Sequence, residues 1–127
     1  MRAIDTNVVI RLIIRDDLRQ AGAADAFVAD GAWVSLVALA ETAWVIRSVY
    51  GLSAPETAKA IELLLQHRNL AIQDPDVVIA ALAHFRSRPA LGFSDCLMVE
   101  IARKAGHSPL GTFDRALSKL DGAERIG

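Results

Sequence analysis

The chain has 127 residues, 53% of them apolar, and a formal net charge of −1, enough material for one sizeable core of ordinary domain size. The balance excludes a nucleic-acid binder that works through bulk positive charge, although the remainder is net positive once four acids are set aside as site residues. Cys96 is the only cysteine, which excludes an intramolecular disulfide and a cysteine-rich zinc site and leaves that residue as a small core side chain.

The first residues do not read as a signal peptide, because Asp5 and Arg11 interrupt any apolar core segment. No apolar run approaches the ~18 residues of a membrane span. A single domain from Met1 to Gly127, soluble and cytoplasmic, is therefore expected. The high apolar fraction in so small a chain points to a surface for self-association.

In chain order, Arg2-Ala3-Ile4 reads as a buried strand that stops at Asp5, and Asn7 then opens an apolar helical run from Val8 to Ile14. Leu18 to Val28 has helical spacing, and Asp30-Gly31 ends it in a turn. Ala32-Trp33-Val34 is a short strand, and Ser35 caps a helix from Leu36 to Tyr50 that stops at Gly51. Glu41 interrupts this helix, with Val37, Ala38, Trp44 and Val45 three and four positions away. An acid in such a stripe is costly unless a salt bridge or a metal compensates it. Trp33 and Trp44 read as core.

Ser53 to Glu56 has the spacing of a capping box and opens a helix from Pro55 to His67, which makes Glu56 and Glu62 structural or solvated. Leu70-Ala71-Ile72 is a strand, and Asp74-Pro75 starts a helix through Phe85, with Asp at the cap. Arg86 to Pro89 reads as a basic loop. Gly92-Phe93-Ser94-Asp95 opens a helix to Gly106, with Glu100, Arg103 and Lys104 on its wet face and Asp95 above Met98, Val99 and Ala102 on its dry face. Pro109 to Phe113 is a strand ending at Asp114, a short helix passes through Leu117 and Leu120, and Ala123 to Ile126 forms an edge strand. Strands alternating with helices argue an α/β fold: three layers, with a central parallel sheet of four to five strands flanked by helices.

Asp5 and Asp114 each end a strand, Asp95 sits in a first helical turn, and Glu41 lies about two turns into a helix after a strand. Right-handed crossovers bring strand ends and helix starts to one rim of a parallel sheet, so all four acids can converge there. Two like charges about 4 Å apart repel by about 4 kcal/mol at an effective dielectric of 20, so such a set either holds protons or holds a cation. All-oxygen ligation suits Mg²⁺ or Mn²⁺, as one ion or two, and His67, His84 and His107 are too scattered to compete. A metal so held activates water and steadies the leaving oxygen in phosphodiester cleavage. Thr6, Asn7, Ser94 and Thr112 flank the acids, where they can orient a carboxylate, bind phosphate, or serve only as turn and cap residues.

These residues together resemble a PIN domain. The matching pieces are Ile4-Asp5-Thr6-Asn7-Val8, Glu41 in its apolar helix, Gly92-Phe93-Ser94-Asp95 and Thr112-Phe113-Asp114-Arg115, which span nearly the whole chain. The short layout is similar to VapC-type toxins of bacterial and archaeal toxin–antitoxin pairs. The resemblance implies a Mg²⁺- or Mn²⁺-dependent endoribonuclease whose metal is bound by Asp5, Glu41, Asp95 and Asp114, a homodimer, and a VapB-type antitoxin that blocks the site. A PIN nuclease of RNA processing carries the same motif, so that alternative stays open. So does a PIN-like fold that only binds RNA or a protein, although that would be expected to lack one of the acids. A phospho-accepting receiver domain matches less well: Asp5 has no acidic neighbour, and Lys104 and Lys119 fall in helices.

Overall fold

A computed structural model describes residues 1–127 as two compact units, Met1–Asp74 and Pro75–Gly127. Strands and helices alternate as the hydrophobic pattern predicts, and all five strands pair in parallel. The fold is therefore α/β, with three strands in the first unit and two in the second. No helix is long and apolar enough to cross a membrane.

The first unit runs β1 (Arg2–Ile4), α1 (Thr6–Ile13), α2 (Leu18–Val28), β2 (Ala32–Val34), α3 (Leu36–Ser48), α4 (Ala54–Gln66) and β3 (Leu70–Ile72). Its sheet order is β1-β2-β3, with Ile4 opposite Val34 and Val34 opposite Ile72. The strands thus end in step, and Asp5, Ser35 and Gln73 leave the sheet at one rim. Alternation buries Ala32 and Val34 completely on one sheet face and turns Trp33 to the other, where it is 38% exposed and not in the core as expected.

With eight residues, α1 is too short to persist alone, since isolated helices need about 12–15 residues. Packing supplies what length does not. Ile10 is buried against Ile46 of α3 and Ala60 of α4, with Ile13, Val45, Tyr50 and Leu52 around them. Each fully buried aliphatic side chain contributes about 1.5–3 kcal/mol, enough to offset the backbone entropy of the residue that carries it. Local signals then set the helix limits. Asp17, Ser35 and Ser53 accept hydrogen bonds from the backbone N–H groups of Gln20, Ala38 and Glu56, and Glu56 returns the bond to Ser53 to close the capping box.

The second unit contains α5 (Pro75–Ser87), α6 (Phe93–Ala105), β4 (Leu110–Thr112), a single 3₁₀ turn (Leu117–Lys119) and β5 (Ala123–Arg125). Phe85 and Phe93 meet edge to face at 5.9 Å between α5 and α6. The connection between β4 and β5 is short for a parallel pair, and Leu117 and Leu120 are buried beneath it. Gly106 ends α6 in the left-handed conformation at φ +84°, which costs glycine no steric clash.

Three expectations are corrected here. Arg86 and Ser87 belong to α5, so the basic loop begins only at Arg88. Asp74 precedes Pro75 at φ +43°, a strained left-handed conformation rather than the extended backbone of an ordinary cap. Glu100 is not on the wet face of α6: it is buried, because His84 of α5 and Arg103 both reach it.

Candidate metal centre

In the first unit Asp5 leaves β1 with extended backbone, and its Oδ1 accepts the N–H of Val8 at 3.1 Å. That bond makes Asp5 the cap of α1. The carboxylate nevertheless remains exposed and pairs with no cation. Glu41 lies six residues into α3, whose start is fixed twice. Ser35 Oγ accepts from Ala38 N at 3.0 Å, and Gln73 Oε1 accepts from Leu36 N at 2.9 Å. Nothing local in the sequence marks Gln73, a glutamine after a strand, as the clamp of a helix 37 residues away.

Asp5 and Glu41 border one cleft of about 420 Å³, together with Thr6, Ser35, Val37 and Ala38. Val37 and Ala38 lie one turn before Glu41 on the same helix face, and the small Ala38 leaves room beside the acid. The stripe around Glu41 proves to face solvent, because Val37 and Trp44 are 68% and 66% exposed. Glu41 is therefore an exposed acid rather than a desolvated one, no arginine pairs with it, and Trp44 is not a core residue.

In the second unit Gly92 caps α6 without a side chain, and Asp95 occupies the first turn. Its Oδ2 and the Ser94 Oγ both lie over Gly92, at 3.7 and 3.8 Å from where a Cβ would stand. Val99 is buried below Asp95 as expected, but Met98 is exposed, so the acid sits half-buried at the edge of the dry face. Burial, and after it the negative charge of Asp114, raises the Asp95 carboxyl above its ordinary value. The neighbouring Cys96 thiol is fully buried, which pushes it up to about 11 and makes it the inert core residue expected.

Asp114 follows β4, exposed, with Oδ1 accepting from Leu117 N at 3.0 Å. Thr112 Oγ1 accepts from Asp114 N at 3.0 Å, so this flanking hydroxyl orients the acid's backbone. Neither Asp95 nor Asp114 has a cationic partner. Each unit thus contributes a pair of carboxylates, and in neither do three or more His, Cys, Asp or Glu side chains gather. In the second unit Asp95 feels the charge of Asp114 with no protein cation beside it, and carboxylate oxygens are donors of the kind that suits a hard divalent ion. His84 is engaged by Glu100.

The family model described as PIN domain matches residues 3–123. No curated protein and no solved structure matches the chain.

Proposed function

Because the chain belongs to the PIN-domain family, whose members are generally nucleases, we propose that it is a Mg²⁺- or Mn²⁺-dependent endoribonuclease with Asp5, Glu41, Asp95 and Asp114 as its metal-holding acids. The observation that carries this reading is the raised carboxyl of Asp95 beside Asp114: two acids lie close enough to feel each other, with no protein cation to relieve them. The Asp5–Glu41 cleft offers the same chemistry in the first unit, and the family match runs over residues 3–123.

One or two bound ions would lower the pKa of a water and steady the leaving oxygen of the phosphodiester. The protein's part is to hold its carboxylates still. Val8 N fixes Asp5, the doubly clamped start of α3 fixes Glu41, and the Leu117 and Thr112 bonds fix Asp114. Asp95, whose ionised form is disfavoured by burial and by Asp114, gains most from an added cation. Thr6 borders the Asp5 cleft and Ser94 lies beside Asp95, both within reach of a substrate phosphate.

Within this reading the chain is the cytoplasmic toxin of a VapBC-type pair, a homodimer restrained by a VapB-type antitoxin. The test is cleavage of RNA with Mg²⁺ or Mn²⁺, for the parent and for Asp5→Asn and Asp95→Asn. Cleavage that EDTA abolishes and both variants lack is expected; full activity in either variant, or in EDTA, overturns the proposal. Growth arrest on expression, relieved by the product of an adjacent small reading frame, separates toxin from processing enzyme.

A further inference from the structure

Asp5 also borders a second cleft, which Glu41 does not reach. This cleft, about 380 Å³, runs between α1 and α2 and is lined by Asp5, Asn7, Val8, Arg11, Gln20 and Phe27 above small residues of α2. Its volume falls in the range of about 300–1,000 Å³ typical of small-ligand sites. The chemistry of its walls is specific. The Asn7 and Gln20 side-chain amides are exposed and bond to nothing in the protein. Arg11 is held in place by Asp16 and by the Tyr50 hydroxyl at 2.9 Å. Phe27 lines the cleft while the Arg2 guanidinium, 3.7 Å from its ring centre, covers one face.

We propose that this α1–α2 cleft is a nucleobase subsite, holding the base of a nucleotide next to the phosphate cut at Asp5. A side-chain amide offers a donor and an acceptor together, which is what the edge of an unpaired base requires. An aromatic ring gives the same base an apolar wall. Arg11 lies six residues beyond Asp5, about 9 Å along α1, so a fixed cation waits for the next phosphate as the strand leaves the metal. A peptide would use the apolar lining but not this spacing of acid, free amide and cation along α1, with a second free amide facing them from α2. The inference rests on Asp5 belonging to the reaction centre.

The test uses uridine heptamers carrying A, G, C or an abasic residue at the centre, with Ca²⁺ in place of Mg²⁺, and reads binding by fluorescence anisotropy. The parent should prefer some base-bearing oligomer to the abasic one by about 5- to 100-fold, the worth of one base contact. Gln20→Ala and Phe27→Leu should reduce that preference several-fold, and Gln20→Glu should change which base is preferred. Calorimetry with Mn²⁺ should show the same metal affinity for these variants as for the parent. Gln20 is exposed, so its variants keep the test alive if Phe27→Leu fails to fold. Equal binding of abasic and base-bearing oligomers by the parent, or an unchanged preference in the Gln20 variants, overturns the inference and leaves the cleft to a protein partner. A parent that takes up no Mn²⁺ overturns the nuclease reading itself, and this inference with it.

Discussion

His84 of α5 places its Nε2 3.1 Å from Oε2 of Glu100 on α6, and the same oxygen accepts from Arg103 Nε at 3.1 Å. Arg103 goes on to donate to the backbone carbonyl of Asp121 at 2.9 Å, so one buried carboxylate ties α5, α6 and the turn before β5. Gly122 makes the last step possible: a Cβ there would stand 2.5 Å from Arg103 Nη2. The two ends of the pair are unequal, since the Glu100 side chain is 10% exposed and that of Arg103 is 42%. Removing the acid leaves a solvated cation that still holds Asp121. Removing the arginine leaves a buried acid with only His84. Glu100→Gln is therefore expected to cost about 1–2 kcal/mol and Arg103→Met about 2–3 kcal/mol. Urea denaturation of both variants checks the order, and the reverse order would mean that Glu100 is not effectively buried.

Asp95 is expected to lower stability in the metal-free protein. Burial and the charge of Asp114 both oppose its ionised form. Asp95→Asn keeps the shape and drops the charge, so its Tm in EDTA at pH 7 should exceed that of the parent while nuclease activity is lost. Adding Mn²⁺ should raise the Tm of the parent more than that of the variant, because a ligand stabilises the state that binds it. Differential scanning calorimetry with and without Mn²⁺ decides it; a variant less stable than the parent in EDTA would show that Asp95 serves mainly its helix.

The sequence shows where helices begin far better than which way their side chains face. Ser35 and Ser53 act within one turn, and the structure has each cap where local chemistry puts it. Glu100 and Trp44 are misread because helical periodicity gives only relative directions around an axis. Which side is dry depends on what packs there, and His84, sixteen residues from Glu100 and on another helix, is invisible in any local window. The places of Asp5 and Asp114 after strands and of Asp95 in a first turn are legible one by one. The clamp of Gln73 on Leu36 was not, because it spans 37 residues.

The capping box makes part of the stability pH-dependent. Hydrogen bonds from the backbone and side chain of Ser53 lower the Glu56 carboxyl below its ordinary value. A depressed acid contributes stability that is full above the unfolded value and lost as pH falls through the lower folded one. Unfolding midpoints should therefore decline below about pH 4.5 as this bond is protonated away. The group is fully exposed, so the effect is small, and Asp25 and Asp76, lowered by Arg15 and Lys104, titrate in the same direction. Glu56→Gln retains a side chain that can accept from Ser53 but cannot titrate. Its stability curve between pH 3 and pH 5 should be flatter than the parent's, and parallel curves would assign the acid dependence to Asp25 and Asp76.

Thr57 Oγ1 of α4 is fully buried and has no hydrogen-bond partner, and Thr42 Oγ1 of α3 is in the same position. A buried hydroxyl without a partner costs about 1–3 kcal/mol of lost hydration, and valine replaces it with a methyl of similar shape. Thr57 lies between the capping box and the buried Ala58, Ala60 and Ile61, far in sequence from any candidate metal ligand. Thr57→Val should therefore stabilise the protein by about 1 kcal/mol and leave RNA cleavage unchanged. Thr42→Val should stabilise it similarly, but Thr42 follows Glu41 directly, so any shift of α3 would appear in Mn²⁺ affinity. Chemical denaturation and Mn²⁺ titration of both variants separate these effects, and a loss of stability in Thr57→Val would mean that its hydroxyl has a partner such as a buried water.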